Sequence, residues 1–360
     1  MSSNPTVSLD DLGYASEYDR YIKENCPGDF ETGRISRHDR EIYSVITTRG
    51  LFRAEITGNM RFSAVGKSDF PVAGDWVLMI KYDDSYIIRE ILPRKTILAR
   101  KAVNEFGEEQ LIASNIDFAF IVQSPDDNFN LNRLERYMAI AYAGGISPIL
   151  VINKCDLIAP GHLKDLLSGV SRRIPGLEVV TTSTINQGGI DPIKNNMQKA
   201  KSYCLLGSSG VGKSSLVNKL VEGSNIRTTG ISESTGKGKH TTSHRELFLT
   251  DGGSIVIDTP GMRELGVTDS DQGLTHTFNL ITQLAKKCRF DDCTHISEPG
   301  CAINEAVKKG YIEPGLLANY HKLVRESDHY KSTIVEKKKS DREFGKMYHN
   351  AMKFKKNNKF

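Results

Sequence analysis

Residues 207–214 read GSSGVGKS and match the pattern G-x-x-x-x-G-K-S of a phosphate-binding loop. The apolar run YCLL precedes this phosphate loop and the amphipathic run SLVNKL follows it, which is the strand–loop–helix context that the motif requires. Glycines let the backbone curl until successive N–H groups point at phosphate oxygens, and the following helix adds the positive end of its dipole. The chain must therefore contain an α/β unit in which helices pack on a mostly parallel sheet.

The polar side chains of the phosphate loop have separate predicted roles. Lys213 is expected to reach the β- and γ-phosphates, and Ser214 to place its hydroxyl on Mg²⁺. The predicted nucleotide-binding set comprises the whole loop and the residue that follows it: Gly207, Ser208, Ser209, Gly210, Val211, Gly212, Lys213, Ser214 and Ser215.

The segment DTPG at 258–261 follows the apolar run SIVI and so lies at the end of a predicted strand. A carboxylate at that place can hold Mg²⁺ through water, which makes Asp258 a predicted magnesium residue. The amide of Gly261 is expected to contact the γ-phosphate. The pattern D-x-x-G is weak alone, and its position downstream of the phosphate loop gives it weight.

A third element, NKCD at 153–156, follows the apolar run PILVI and predicts which base is bound. Asp156 can accept hydrogen bonds from N1 and N2 of guanine, Asn153 can bond the base edge, and Lys154 can pack over the ring. Adenine lacks that pair of donors and would leave the carboxylate unpaired, so strong selectivity for guanine is expected. Ser183, in TSTINQGG, is a candidate to hold the guanine oxygen.

Short strands with alternating apolar and polar residues run from about Glu31 to Lys101 between Gly, Asp and Pro turns. About five strands in seventy residues favour a small closed barrel of the OB type. The cations in this segment suit a groove that follows a phosphate backbone, although an ordinary charged exterior explains them as well. They are Arg34, Arg37, Arg40, Arg49, Arg53, Arg61, Lys81, Arg89, Arg94, Arg100 and Lys101.

Four residues with the spacing C-x₄-C-x-H-x₅-C predict a metal site: Cys288, Cys293, His295 and Cys301. Three thiolates and an imidazole complete a tetrahedral shell for Zn²⁺ and leave no open position for catalysis. We therefore expect one structural Zn²⁺ that stabilises a small helical module. Buried cysteines without a ligand are the alternative.

The charge is unevenly distributed along the chain. Residues 331–360 carry ten Lys or Arg against three Asp or Glu, whereas the whole chain has a net charge of only +4. Such a tail is typical of a nucleic-acid arm, or of a solvated helix end. No apolar run approaches the length of a membrane helix, and the N-terminus lacks the features of a signal peptide. The sequence thus predicts a cytoplasmic protein without a membrane partner.

The guanine-nucleotide motifs stand in a rotated order, because NKCD and Ser183 precede the phosphate loop. This order, with a barrel in front and a Cys/His cluster behind, resembles the RsgA (YjeQ) family of circularly permuted GTPases that assemble the small ribosomal subunit. The resemblance runs from about Arg34 to Glu326 and includes PVAGDWV, ILPRKTILARK and CRFDDCTHISEPGCAI.

The resemblance implies a multidomain fold. We expect a lead-in over 1–30, an OB-fold β-barrel over 31–105, a circularly permuted α/β P-loop GTPase over 106–268, and a mainly helical zinc-binding module with a basic tail over 269–360. It further implies GTP or GDP and Mg²⁺ as ligands, the small ribosomal subunit and its rRNA as partner, and a monomer.

The residue that orients the attacking water is not obvious from the motifs. Signalling GTPases place Gln after D-x-x-G, but Met262 stands here and cannot bond water usefully. His240 in GKGKHTTS is the local candidate, and the resemblance also points to it. Thr241 or Thr242 is expected to complete the Mg²⁺ shell. His240 as an exposed loop residue or an RNA contact remains the alternative.

The sequence as a whole predicts a GTPase that is stimulated by the small subunit, assists its late maturation and leaves it on hydrolysis. An RNA-binding module with a structural or slowly hydrolysed nucleotide is the first alternative, and Lys213, Ser214 and Asp258 speak against it. A P-loop ATPase or small-molecule kinase is the second, and NKCD argues against ATP.

Overall fold

The computed structural model describes residues 7–39, 41–83, 85–101, 109–222, 245–259 and 271–332. The described lead-in contains a short 3₁₀ turn, Asp10–Leu12, and helix α1, Glu17–Asn25. Leu12 and Tyr18 are buried in the same apolar cluster as residues of the barrel and of the α/β domain. Within the described ranges no helix combines the length and apolar character needed to cross a bilayer.

Five strands then form a closed barrel. Their bounds are β1 Glu31–Asp39, β2 Ile42–Thr47, β3 Gly50–Ile56, β4 Trp76–Tyr82 and β5 Ser85–Ile91, and helix α2, Gly58–Ser63, lies between β3 and β4. The barrel closes because β1 pairs with both β2 and β4, while β3 runs parallel to β5. Alternate side chains fill the interior, among them Ile35, Val45 and Met79. The predicted barrel of the OB type is confirmed.

Strands β6, Ile97–Lys101, and β7, Glu109–Ser114, pair only with each other as a two-stranded sheet. The hairpin contacts the segment just before β4, where the N–H of Ser114 donates to the carbonyl of Ala73 at 3.0 Å and its hydroxyl donates to Asp75 at 2.5 Å. The predicted barrel domain extends to residue 105, but its strands end at Ile91. Closure between β1 and β4 leaves no open edge for β6.

The α/β domain has a six-stranded sheet in the order β10-β9-β8-β11-β13-β12. Neighbours among the first five strands run parallel, and only β12 is antiparallel. The strands are β8 Phe118–Gln123, β9 Ser147–Ile152, β10 Val179–Thr181, β11 Ser202–Leu206, β12 Glu246–Leu249 and β13 Ile255–Asp258. The helices are α3 Leu131–Ala143, α4 Pro160–Arg173, α5 Asp191–Asn196 and α6 Lys213–Leu220. The predicted α/β architecture is confirmed.

The C-terminal module is helical, as expected. It comprises α7 Asp271–Thr277, α8 Asn279–Ala285, α9 Ala302–Lys308 and α10, residues 314–332. It docks on α3, where Arg136 makes two hydrogen bonds of 2.6 and 2.7 Å to Glu326. A Cβ on Gly273 would lie 2.1 Å from the carbonyl oxygen of Ala139, so α7 approaches α3 as closely as a glycine allows. The basic tail beyond residue 332 lies outside the described residues.

Arg34 joins the lead-in, the barrel and the α/β domain. Its side chain is 1% exposed. The guanidinium donates to the carbonyls of Leu12 at 2.6 Å, Gly74 at 3.2 Å and Asn115 at 2.8 Å, and to the hydroxyl of Ser202 at 2.9 Å. Burial lowers its pKa to about 10, so that it stays charged at neutral pH.

A second buried arginine contact holds the turn before β4. Asp75, which is fully buried, accepts from Arg94 in a bidentate pair at 2.8 Å and from the hydroxyl of Ser114 at 2.5 Å. The sequence placed Arg34 and Arg94 in a groove for phosphates. That expectation is wrong for both, because their guanidinium groups are used inside the protein.

Replacing Arg34 with Met should destabilise the whole chain. The change leaves the carbonyls of Leu12 and Asn115 without donors, at a cost of about 1–3 kcal/mol each before relaxation, and removes one of the two donors to the Gly74 carbonyl. We expect the free energy of unfolding to fall by about 3 kcal/mol or more. Urea unfolding followed by the fluorescence of Trp76, the single tryptophan, measures it. Arg53→Met is the matched control, because Arg53 is exposed on β3. Equal losses in the two variants would contradict the role of Arg34.

Candidate nucleotide and metal sites

The phosphate loop begins where β11 ends and leads directly into α6. Gly207 and Gly212 have φ angles of 147° and 95°, a region that L side chains rarely adopt. A Cβ on Gly207 would lie 2.4 Å from the carbonyl oxygen of Val122, and one on Gly212 would lie 2.3 Å from Nδ2 of Asn153. The loop is therefore folded tightly against the ends of β8 and β9.

The residues of the loop separate into those that face solvent and those that face the core. Ser209, Gly210, Ser214 and Ser215 are exposed, whereas Val211 is buried in the apolar cluster of the sheet. Val211 can therefore offer a ligand only its backbone. The ammonium of Lys213 donates to the carbonyls of Gly207 and Ser208, both at 2.6 Å, which places the charge over the loop.

The predicted base-reading residues lie next to this loop. Asn153 is fully buried and its Nδ2 donates to the carbonyl of Val211 at 2.9 Å. Lys154, in the left-handed region with a φ of 63°, donates from Nζ to the carbonyl of Gly210 at 2.7 Å. The two motifs are thus linked by hydrogen bonds between residues that are 58 and 56 positions apart in the chain. Oδ1 of Asn153 is buried and has no hydrogen-bond partner among the described residues.

Asp156 and Ser183 also come together. The Ser183 hydroxyl donates to Oδ1 of Asp156 at 2.5 Å and accepts from the N–H groups of Ile185 and Asn186 at 3.3 Å. Asp156 is exposed, so its carboxylate remains accessible to the donors of a base. The Ser183 hydroxyl is thus positioned to orient the carboxylate, and its expected contact to the guanine oxygen stays a prediction.

Asp258 ends β13 and is half-buried. Burial raises its pKa, while the N–H of Thr259 and the charge of Lys213 oppose that rise. The register places Glu246 of β12 directly opposite, and burial raises the pKa of Glu246 to about 6. A cation at this place would stabilise the ionised carboxylate, which fits the predicted magnesium role.

Several predicted residues lie outside the described residues, so their places stay predictions. They are Gly261, the candidate catalytic His240, the switch residues Thr241 and Thr242, and Met262.

The Cys/His cluster is assembled. One ligand atom from each of Cys288, Cys293, His295 and Cys301 can be chosen so that all four lie within 4.8 Å of one another. The Sγ atoms of Cys288 and Cys301 are 4.0 Å apart, and each lies 3.6 Å from Nδ1 of His295. A tetrahedron with Zn–S bonds of 2.3 Å has sulfur–sulfur edges of about 3.8 Å. These four residues form a potential metal site.

The loop that carries the cluster is held by its own contacts. Glu298 accepts hydrogen bonds from the N–H groups of Thr294, Ile296 and Ser297 at 2.8, 2.9 and 3.0 Å. Hydrogen bonds from Thr294 lower the pKa of Glu298 to about 2. Burial lowers the pKa of His295 and so favours the neutral imidazole that a metal requires.

Sequence reasoning missed two supporting features of these sites. Glu298 lies between the last two metal candidates, and no motif marks it in the sequence. The Gly188–Gly189 pair ends the segment TSTINQGG, and the Gly189 carbonyl accepts from the Ser183 N–H at 2.9 Å and from the Thr182 hydroxyl at 2.6 Å. The adjacent glycines signal such a turn.

Gly212→Ala should weaken nucleotide binding, because the new Cβ would displace the Asn153 amide. Gly210→Ala is the matched control, since Gly210 has a similar φ of 86° but open space around its Cβ position. We expect at least a tenfold greater loss of affinity for Gly212→Ala than for Gly210→Ala, corresponding to about 1.4 kcal/mol. Titration with a fluorescent GDP measures both. Equal affinities would show that the Asn153 contact is unimportant for binding.

Comparison with known proteins agrees with this geometry. The model of the family described as RsgA GTPase matches residues 91–268. The protein named small ribosomal subunit biogenesis GTPase RsgA 1, from Bacteroides thetaiotaomicron, is 39% identical over 358 residues, which cover 99% of each chain.

Two solved structures share the fold. YjeQ from Thermotoga maritima has a TM-score of 0.64 at 24% identity and covers 83% of this chain and 98% of its own. YloQ, titled a circularly permuted GTPase, has a TM-score of 0.63 at 23% identity and covers 85% of this chain and 97% of its own. The permuted order of motifs seen here is thus the order of a known fold. Near-complete coverage at 39% identity places the chain within the RsgA GTPase family.

Proposed function

We propose that this chain binds the small ribosomal subunit through its rRNA, assists the late maturation of that subunit, and hydrolyses GTP to leave it. The observation that carries the proposal is the link between the phosphate loop and the base-reading motif through Asn153 and Lys154. The name of the relative from Bacteroides thetaiotaomicron supports the ribosomal role. The same role implies a cytoplasmic protein, and we propose that it acts as a monomer.

Guanine recognition rests on Asp156. Its carboxylate, oriented by Ser183, accepts from N1 and N2 of the base, while the buried Oδ1 of Asn153, which has no partner among the described residues, is offered to the base edge. The backbone N–H groups of the phosphate loop and Lys213 hold the phosphates. Because adenine would leave Asp156 without donors, GTP is bound in strong preference to ATP.

Magnesium would be held by Ser214 and Asp258, together with Thr241 or Thr242. When bound, the ion neutralises charge on the β- and γ-phosphates and so assists departure of the leaving group. The amide of Gly261 contacts the γ-phosphate in this arrangement. The chain supplies no Gln after DTPG, and we assign the orientation of the attacking water to His240.

The described surface offers two candidate RNA contacts. In the C-terminal module, Phe290, Ile296 and Tyr311 are exposed at 42, 72 and 75%. Exposed cations stand near them in the sequence: Lys286, Lys287, Arg289, Lys308 and Lys309. The barrel contributes Arg49, Arg53, Lys81 and Arg89, which are exposed as well. Basic side chains interleaved with aromatic ones suit phosphates and unstacked bases.

His240→Ala should abolish the hydrolysis that small subunits stimulate and leave GTP binding intact, because the imidazole acts on water and not on the nucleotide. Phosphate release from GTP and from ATP is measured with small subunits, with large subunits and with neither. For the parent chain we expect turnover of GTP alone, raised well above the basal rate by small subunits only.

Lys239→Ala is the control for this experiment, since it removes a neighbouring cation from the same segment. Unchanged stimulated turnover in His240→Ala would remove His240 from the mechanism. Subunits that bind the parent chain without raising its turnover would overturn the proposed role of hydrolysis and favour an RNA-binding module with a structural nucleotide.

We further propose that the Cys/His cluster holds one structural Zn²⁺. The distances between its ligand atoms fit a tetrahedral Cys₃His shell, and all four positions are filled by protein, which excludes an open catalytic position. Bound zinc would join the loop around Glu298 to the start of α9, because Cys301 caps that helix.

Cys293→Ser should remove the zinc and loosen the C-terminal module, because a structural site needs all four ligands. We expect about one Zn²⁺ per parent chain by elemental analysis and a content near zero in the variant. Cys26→Ser, outside the cluster, is the control and keeps its zinc. A full zinc content in Cys293→Ser would show that this thiolate is not a ligand.

A further inference from the structure

A cavity of about 360 Å³ lies where the barrel, the β6–β7 hairpin and the start of β12 meet. It shares no lining residue with the nucleotide site or the Cys/His cluster. Ile56, Phe70, Val72 and Leu111 give it an apolar wall. Pockets of about 300–1,000 Å³ with apolar walls and a few convergent polar groups are typical of sites for small ligands.

Three of the four charged side chains that line the cavity are cationic. They are Arg61, Lys67 and Arg245, against the single carboxylate of Glu41, and the imidazole of His38 also lines the cavity. Glu41 pairs with Arg61 at 3.1 Å, and its side chain is 70% exposed, so this pair lies at the surface of the protein. Arg61 comes from the barrel and Arg245 from the α/β domain, so cations from two modules converge on one space. This arrangement favours an anionic ligand.

The cavity also offers flat surfaces. The ring of His38 stacks on that of Tyr43 with centroids 4.5 Å apart and planes 9° from parallel. Phe70 adds a third aromatic ring to the lining. A ligand with a planar part and an anionic part would satisfy both halves of the cavity, since bases stack on aromatic side chains and phosphates bind guanidinium groups.

We infer that this cavity binds a nucleotide, with its base against the apolar and aromatic wall and its phosphate on Arg61 and Arg245. The inference rests on the proposed function, because an RNA-binding role makes one unit of a bound RNA strand a source of this nucleotide. A free mononucleotide is the other source. The two sources share the same chemistry.

The position of Arg245 gives this site a connection to the GTPase centre. Arg245 immediately precedes Glu246, which is the cross-strand partner of Asp258 in β13 and of Arg37 in the barrel. A phosphate on Arg245 thus binds next to the strand that faces the proposed magnesium carboxylate. Occupancy of the cavity is expected to stabilise β12 against the barrel.

Methyl NMR of the full chain saturated with GDP and Mg²⁺ tests the inference. The methyl groups of Ile56, Val72 and Leu111 line the cavity, and those of Ile193 and Val217 in the α/β core serve as references. Uridine 5′-monophosphate and a hexauridylate are titrated separately. Shifts confined to the cavity methyls with either ligand support the site, and the ligand that produces them identifies the source. No shift of these methyls with either ligand overturns the inference.

Arg61→Ala should weaken this binding about tenfold, as expected for the loss of one charge-assisted hydrogen bond. Its side chain is 44% exposed, so that the fold should tolerate the change. Arg245→Gln is the second variant, and Arg172→Ala is the control, because Arg172 is an exposed cation of α4 outside the cavity. Equal weakening by Arg61→Ala and Arg172→Ala would indicate diffuse attraction and overturn the site.

Phosphate release by the parent chain with small subunits separates this inference from the proposed function. Stimulated hydrolysis without any shift of the cavity methyls would defeat only the cavity. Cavity shifts without stimulation would support the cavity and defeat only the proposed role of hydrolysis.

Discussion

The guanidinium of Arg34 is the contact on which the arrangement of the modules depends. It is buried, it stays charged, and it donates to the lead-in, the barrel and the first residue of the strand that leads to the phosphate loop. A buried charge is tolerated only where enough acceptors surround it, so these segments must keep their relative places for the chain to be stable. The barrel and the nucleotide site are thereby held in one frame, and a displacement of either would strain the contacts of Arg34.

Much of the fold could be predicted because its signals are local. The phosphate loop, the strand pattern of the barrel and the Cys/His spacing each lie within a short stretch of sequence, and each fixes a local structure by sterics or ligand chemistry. The structure brings NKCD next to the phosphate loop and brings the four metal candidates together, as the motifs predict. The family follows from the order of the motifs, and the comparisons confirm it.

The rest could not be predicted because it depends on contacts between residues far apart in the chain. Arg34 and Arg94 look like surface cations in the sequence, and only the folded barrel reveals that Gly74 and Asp75 are their partners. Ser183 could be placed near the base, but its bond to Asp156 depends on the turn at Gly189. The strands of the hairpin β6–β7 alternate apolar and polar residues as the barrel strands do, but the pairing of β1 with β4 closes the barrel and keeps the hairpin out of it. His240, Thr241 and Thr242 remain predictions.

The pairing of β12 with β1 has a consequence for self-association. Through the pair Arg37–Glu246 the α/β sheet continues into the barrel, so all the described strands except β6 and β7 form one sheet of eleven. The barrel covers one margin of the α/β sheet, and β10 at the other margin is only three residues long. Long open margins recruit strands from other chains and seed aggregates. The barrel thus covers the edge strand of the permuted domain, and a chain with a displaced barrel would expose β12 as a template for aggregation.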